Sequence, residues 1–421
     1  MKSFAVFTLG CKVNLYESES YIYQLKQLGY QEVSNDEVAD VYIINTCTVT
    51  NSASSKSRKM INKAHKLNKQ AFICVVGCYV QTYLTDLEQL DFVDLLIGAQ
   101  DKDKLAYLID HKLRSNIVSD TTNLEFENLN VKQFHHTRAY LKVQDGCDQF
   151  CSYCIIPYAR GNSRCMNKEE VMKQARVLAK THHEIVLVGI HTGRYEDNGY
   201  RLSDLIEDLI KIDDLKRIRL SSIEINEIDD KLVNLIKNSD KVAKHLHIPL
   251  QAGCDKTLKM MNRPYETNYF YQRITKIRQI IPNISISSDV IVGFPSESEE
   301  DFITSLNFVE KCQFSFLHVF PFSLRKNTKA NDIVNIVIDM DKKNRSIMLI
   351  ALGKKLALNY KKRFIDQRLS VLVETCLDDY SLGYSSEYLQ VKIINNKLHN
   401  NQIYECYIFD VDQGMLIGEV E

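Results

Sequence analysis

The chain has 421 residues, 45% of them hydrophobic and 25% charged, and 53 Lys plus Arg against 54 Asp plus Glu leave a net charge of −1. That is an ordinary balance for a soluble globular protein of two or three domains, and it excludes a globally basic nucleic-acid binder, so any RNA contact must come from local patches. No apolar run approaches the roughly 20 residues that span a bilayer, and in the opening MKSFAVFTLGCKVN the apolar stretch is short, is broken by Lys12 and Asn14, and has no secretory cleavage pattern; a cytoplasmic protein with no membrane partner is expected. Twelve cysteines in such a setting point to metal or redox chemistry rather than disulfides.

Residues 1–115 alternate apolar strands (FAVFTLG, VYIINT, FICVVG) with helical stretches such as Glu17 to Gln27 and Ser54 to Lys66. Strand–loop–helix alternation predicts a parallel sheet with helices packed on it, whose functional loops gather at the carboxyl ends of the strands. Cys11, Cys47 and Cys78 each follow one of these strands, so three residues far apart in sequence are expected at one edge.

Residues 116–133 are polar and weakly patterned and suit a linker. From 134 to 364 the alternation resumes with YLKVQ, EIVLVGI, RIRLSSI, HLHIPL, ISISSDVIVGF and FSFLHVFPF, which predicts a partial (β/α)6 barrel. The basic stretch Asp341 to Phe364 reads as a helix. Residues 365–421 then hold short strands with no room for helices between them, a small all-β barrel.

GCDQFCSYC places Cys147, Cys151 and Cys154 at C-x3-C-x2-C. Three thiolates on one loop can hold three corners of a [4Fe–4S] cube and leave one iron open to a substrate. In radical S-adenosylmethionine (SAM) enzymes that iron takes the amino and carboxylate groups of SAM, and electron transfer yields a 5′-deoxyadenosyl radical. A structural zinc knuckle would need a fourth ligand at a nearby matching spacing. Cys165 follows Arg164 at an expected helix start, away from the loop.

LGCKVN, NTCTVTNSASSKSR, GCYVQ, KVQDGCDQFCSYCIIPYARG, HIPLQAG and DVIVGFP resemble, in order and spacing, the radical SAM methylthiotransferase family, over essentially the whole chain and including a C-terminal TRAM-like barrel. TLGCKVNLYESE and NTCTVTNSASSKSR resemble the branch that modifies N6-threonylcarbamoyladenosine at position 37 of transfer RNA. The isopentenyladenosine branch usually has Gln-Met-Asn in the first of these motifs, and the branch acting on a ribosomal protein departs in the same places.

The resemblance implies that Cys11, Cys47 and Cys78 hold a second [4Fe–4S] cluster, which carries the sulfur to be methylated by one SAM. A second SAM, on the Cys147/Cys151/Cys154 cluster, would supply the radical that removes hydrogen from C2 of the adenine. It also implies the anticodon loop as RNA partner and a reductant such as a flavodoxin or ferredoxin, while the sulfur donor stays open. Three buried cysteines packed as small hydrophobes are the plainer alternative for the first set, and that role suits Cys74, Cys254, Cys312, Cys376 and Cys406.

For SAM, Tyr153 is expected along the adenine, with a core aromatic as the competing role. Gly189 stands where backbone can approach the SAM amino acid, or where the chain merely turns. Ser222 and Glu224 reach the barrel mouth, although strand alternation alone gives the same pattern; Gln251 is expected to line the site. The family usually has Pro at Ile225 and Gly at Ser296 and Asn327. Lys56, Arg58, Lys59, Lys63 and Lys66 share one helix and read either as a solvated face or as phosphate contacts. Lys361, Lys362, Arg363 and Arg368 beside Tyr380, Tyr384 and Tyr388 are expected to serve RNA through charge and stacking. A non-catalytic, metal-containing RNA-binding protein is the alternative of a different class.

Overall fold

The computed structural model describes residues 2–394 and 397–420. Six parallel strands form the first sheet, β1 (Ser3–Thr8), β2 (Gln31–Glu32), β3 (Val41–Thr46), β4 (Phe72–Gly77), β5 (Leu95–Ile97) and β6 (Ser115–Ile117), in the order β2-β1-β3-β4-β5-β6. The central strands β3 and β4 are buried along their whole length, as continuous apolar runs in a two-sided parallel sheet require. Helix α1 (Lys12–Gln27) follows β1 and α2 (Asn51–Leu67) follows β3. Thr50 caps α2 by accepting from the Ala53 amide, 3.1 Å.

The strand β6 runs into the stretch that composition reads as a linker, and beyond it Leu129 and Val131 are buried in the next domain's core. Polarity averaged over residues 116–133 hides these anchors.

Six more parallel strands make the partial barrel: β7 (Ala139–Lys142), β8 (Glu184–Val188), β9 (Arg217–Leu220), β10 (His245–His247), β11 (Ser285–Val292) and β12 (Phe316–Pro321). They pair β7-β8-β9 and β10-β11-β12, joined by single bridges Ile218↔Val242 and Ser222↔His247. Alternation divides their side chains. Ile185 and Leu187 face the outer core under the helices, whereas Val186 and Val188 face the lumen and meet Val13 of α1. The first domain therefore closes part of the lumen itself.

The long helix Asp339–Lys362 leads to a closed five-stranded barrel of β13 (Gln367–Cys376), β14 (Ser381–Ser385), β15 (Gln390–Ile393), β16 (Ile403–Asp412) and β17 (Met415–Glu419), in the order β13-β14-β15-β17-β16. This barrel seats on the amino ends of the lumen strands. Arg217 donates to Ser370 O at 2.9 Å, and Arg219 donates to Ser385 O and Ser386 O at 3.0 Å each. Buried Glu184 holds both guanidiniums. Burial alone would raise its carboxyl, but Arg219 and Arg217 overcome that and draw it down to about 2.

Tyr384 and Tyr388, expected at an RNA surface, stack on each other at 5.1 Å and lie under Arg138 and Arg219 at this junction. Lys361 and Arg363 likewise donate to the carbonyls of Gly414 and Pro282. The tyrosine pair and Lys361 join the barrel to the preceding domain, whereas Arg363 holds the end of the long helix to Pro282 within residues 134–364. No helix among the described residues is long and apolar enough to cross a membrane.

Candidate functional site

The first three cysteines converge. Thr46 and Gly77 end β3 and β4 immediately before Cys47 and Cys78, and Gly10 stands two residues past the end of β1, immediately before Cys11. Gly10 has φ 103°, and a Cβ there would lie 2.7 Å from Cys47 Cβ and 2.9 Å from its sulfur, so only glycine lets the two loops approach this closely. Ser57 clamps the Cys47 loop, accepting from its amide at 3.3 Å and donating to its carbonyl at 3.1 Å. Cys11 opens to solvent, whereas Cys47 and Cys78 are buried. The sulfurs are near enough that each of Cys11 and Cys78 raises the Cys47 thiol, which burial chiefly pushes up to about 11.

The second three sit on a loop after β7. Gly146, at φ 71°, turns the chain into Cys147 where a Cβ would meet Asn162 O at 2.0 Å. Burial pushes the Cys154 thiol up to about 12, with Cys151 and Cys147 adding to it. Cys151 is raised by burial as well, against the pull of Arg263. Nucleophilic cysteines have lowered pKa values. Convergent thiols that are costly to ionise suit a bound cation, which deprotonates them outright.

N–H donors surround these sulfurs. Arg160 donates Nε–H to Cys78 Sγ at 3.3 Å, the Gln149 amide donates to Cys147 Sγ at 3.4 Å, and Arg263 donates to Cys151 Sγ at 3.3 Å. His191 Nδ1 lies 3.3 Å from Cys147 Sγ. Such donors orient metal-bound sulfur and offset its charge. Two thiol triplets with donor shells fit two [4Fe–4S] groups, each with one iron not held by a cysteine of its triplet.

Arg160, on the short helix Ile156–Arg160, ties the triplets together. Fully buried, it also binds Glu17 at 3.0 Å, Asp145 at 3.1 Å and Asn14 Oδ1 at 2.7 Å. Lys102 and Lys142 complete this buried network around Glu17. At the rim Arg325, 2% exposed, donates to Thr48 Oγ1 and Ser54 Oγ at 2.8 Å and fastens the two domains.

The residues expected around SAM divide into groups. Tyr153 packs against the core, with Arg263, Cys151 and Cys154 as electrostatic neighbours, and burial raises its hydroxyl. Glu224 forms an ion pair with Arg263, so Tyr153, Glu224, Arg263 and Cys151 make one corner. Gly189 serves a close approach, but to Gln144 Oε1, 2.9 Å from a Cβ built there. Gln144 in turn accepts from the His191 amide at 2.7 Å and donates to Gly146 O at 2.7 Å, bracing the Cys147 loop. Ser222 bridges to the His247 backbone, and Gln251, at φ 69°, pairs with β11. Cys165 lies in a two-residue ladder with Gln144–Asp145 rather than at a helix start, its thiol directed to Arg194 O. Cys74 is wholly buried.

Arg160, His191 and Arg263 carry no sequence signal of their own. Each reaches its sulfur across 44 to 112 residues.

Comparison with known proteins accords with this geometry. Residues 141–309 match the model of the radical SAM superfamily, and residues 3–98 that of the uncharacterized protein family UPF0004. The fold is similar to that of the radical S-adenosylmethionine methyltransferase TsrM from Kitasatospora setae, with TM-score 0.59 and 10% identity, over 78% of this chain and 73% of that one. The threonylcarbamoyladenosine tRNA methylthiotransferase MtaB of Bacillus subtilis is 40% identical, over 93% of this chain and 90% of the relative. The enzyme of that name from Thermotoga maritima is 35% identical over 94% and 93%. The tRNA-2-methylthio-N(6)-dimethylallyladenosine synthase of Thermoanaerobacter pseudethanolicus is 34% identical over 87% and 81%. The chain belongs to the radical SAM methylthiotransferase family. Its cofactors are SAM and [4Fe–4S] clusters.

Proposed function

We propose that this enzyme adds a methylthio group to C2 of N6-threonylcarbamoyladenosine at position 37 of tRNA, beside the anticodon. The observation that carries the reading is the 40% identity to the Bacillus subtilis MtaB enzyme along 93% of the chain, above the 34% shared with the dimethylallyladenosine enzyme.

In this reading Cys11, Cys47 and Cys78 hold one cluster, and Cys147, Cys151 and Cys154 hold the other. When bound, the clusters and SAM would hold the sulfur and supply the methyl group and the radical that opens an inert C2–H bond. The chain's own groups do the positioning. Arg160, Arg263, His191 and the Gln149 amide fix the sulfur ligands, and Glu224 keeps Arg263 in place. Tyr153 at that corner is assigned to the SAM adenine, while Gly189, Ser222 and Gln251 shape the surrounding loops. The N-terminal domain spans 1–115, the radical SAM domain 134–364 and the TRAM-like domain 365–421. Electrons come from a reductant such as a flavodoxin or ferredoxin, in the cytoplasm. Among the basic residues of α2, Lys56, Lys59 and Lys66 are the candidates for phosphate contact, since Lys63 pairs with Asp36 and Arg58 donates to Tyr79.

Nucleoside profiling of tRNA from a deletion strain tests the substrate. The 2-methylthio derivative of threonylcarbamoyladenosine should vanish and its unthiolated precursor accumulate. Loss of the isopentenyladenosine derivative instead would overturn the assignment.

A further inference from the structure

Lys12 stands next to a cluster cysteine and is oddly placed for a structural residue. It is the first residue of α1, whose first turn contains no acidic side chain. A cation at a helix amino end opposes the helix dipole and costs stability. Its neighbour Val13 packs on lumen-facing Val186 and Val188, so the start of α1 enters the barrel. There the half-buried ammonium lies in the field of Arg138, Arg219, Glu184 and Tyr388, and it acts on His245 and His318 across the lumen. Arg217 and Arg219 share Glu184, and Arg138 is matched by Glu374. Lys12 has no hydrogen bond or ion pair among the described residues.

Two further features of the same lumen call for a ligand. His245 is 6% exposed and its Nδ1 has no hydrogen-bond partner. On β12, Leu317 turns outward to Gly353 of the long helix, so Phe316, His318 and Phe320 turn inward. Phe316 and Phe320 remain 48% and 44% exposed. Large aromatic faces left open inside a cavity suit a stacked base, and enzymes that act on a base of folded RNA draw it out into such a pocket.

We propose that Lys12 determines substrate specificity by pairing with the carboxylate on the N6 substituent of the target adenosine, whose base stacks on the Phe316 and Phe320 wall. The proposal rests on the threonylcarbamoyl reading above. C2 and the N6-bearing carbon flank the same ring nitrogen, so an amino-acid arm on N6 lies within a side chain's length of the reacting carbon. A lysine adjoining the cysteine proposed to hold the sulfur-bearing cluster is therefore within reach of that arm. A charge-assisted pair with a carboxylate gives this partly desolvated ammonium the counter-ion that the chain does not provide.

The test uses anaerobically reconstituted holoenzyme and three anticodon stem-loop RNAs of one sequence. Position 37 carries threonylcarbamoyladenosine, its neutral primary amide, or plain adenosine, and binding is followed by fluorescence anisotropy. The wild type should bind the acid about tenfold more tightly than the amide. Lys12→Gln should bring that ratio close to one, and Lys12→Arg should retain most of it. Equal weakening of all three RNAs by Lys12→Gln would assign the lysine to a backbone phosphate or to general damage, and overturn the proposal. An unchanged ratio would overturn it too. A wild-type enzyme that methylthiolates an isopentenyladenosine stem-loop and leaves the threonylcarbamoyl one untouched would instead remove the substrate reading, and this proposal with it.

Discussion

Arg160 Nε and Cys78 Sγ lie 3.3 Å apart, a hydrogen bond from the end of the helix that follows the Cys147/Cys151/Cys154 loop to a cysteine of the other triplet. The same guanidinium meets Glu17 of the first domain and Asp145 of the second. Arg160→Gln leaves Glu17 buried with Lys102 and Lys142, and Asp145 buried with Lys142 and Arg164. Breaking such a buried network costs about 3–5 kcal/mol, so urea unfolding should detect a loss of that order. Arg160→Lys should recover only part of it, since an ammonium cannot reproduce the guanidinium fork.

Cys11→Ala separates the two clusters' duties. The variant should still convert SAM to 5′-deoxyadenosine, yet form no methylthiolated tRNA, and its iron should fall from roughly eight to roughly four per chain if one cube is lost. Both products and the iron are measured in one reconstituted sample. Methylthiolation at the wild-type yield would show that Cys11 is no ligand.

Glu184 makes the junction with the C-terminal barrel sensitive to acid. Its carboxyl titrates at about 2 when folded, below its ordinary value of 4.5. The resulting stabilisation, about 3 kcal/mol, is fully present above about pH 5 and is lost as pH falls towards 2. The denaturation midpoint should decline through that window in the wild type and decline less in Glu184→Gln. That variant should also be weaker at neutral pH, because Arg217 and Arg219 lose their buried counter-ion.

Ser296 and Asn327, where the family usually has glycine, have φ of 66° and 67°. The chain thus keeps a left-handed backbone with residues that disfavour it. Ser296→Gly should stabilise the protein by about 0.5–1 kcal/mol, read from chemical denaturation. Its hydroxyl contact to Val334 O is exposed and offsets little of the gain. Asn327→Gly should gain less, because asparagine tolerates this conformation.

The sequence displays whatever is local. Cys147, Cys151 and Cys154 share one loop, and Cys11, Cys47 and Cys78 follow strands that periodicity reveals, so both triplets could be read before any contact was known. The donors to their sulfurs could not, because Arg160 and Arg263 are ordinary surface-type residues until folding brings them 82 and 112 residues back along the chain. Tyr384 and Tyr388 mislead for a related reason: an aromatic pair beside basic residues looks the same whether it awaits RNA or an arginine of another domain. Gly189 is a mixed case. The close approach it permits is real, and it brings Gln144 against the Gly189 backbone, a partner that the sequence does not name.

The seating of the C-terminal barrel on Arg217 and Arg219 bears on modular exchange. Transplanting residues 365–421 from a relative would bring in new carbonyls and a new counterpart to Tyr388, while the recipient kept Glu184, Arg138 and His245. A chimera with its boundary at residue 364 therefore cuts through a polar interface, although the chain there looks like a simple hand-over from helix to strand. Chimeras that carry the Glu184, Arg217 and Arg219 positions together with the barrel should fold where plain grafts fail. Recombination between homologues would be constrained in the same way, with these strand-start residues inherited alongside the module they hold.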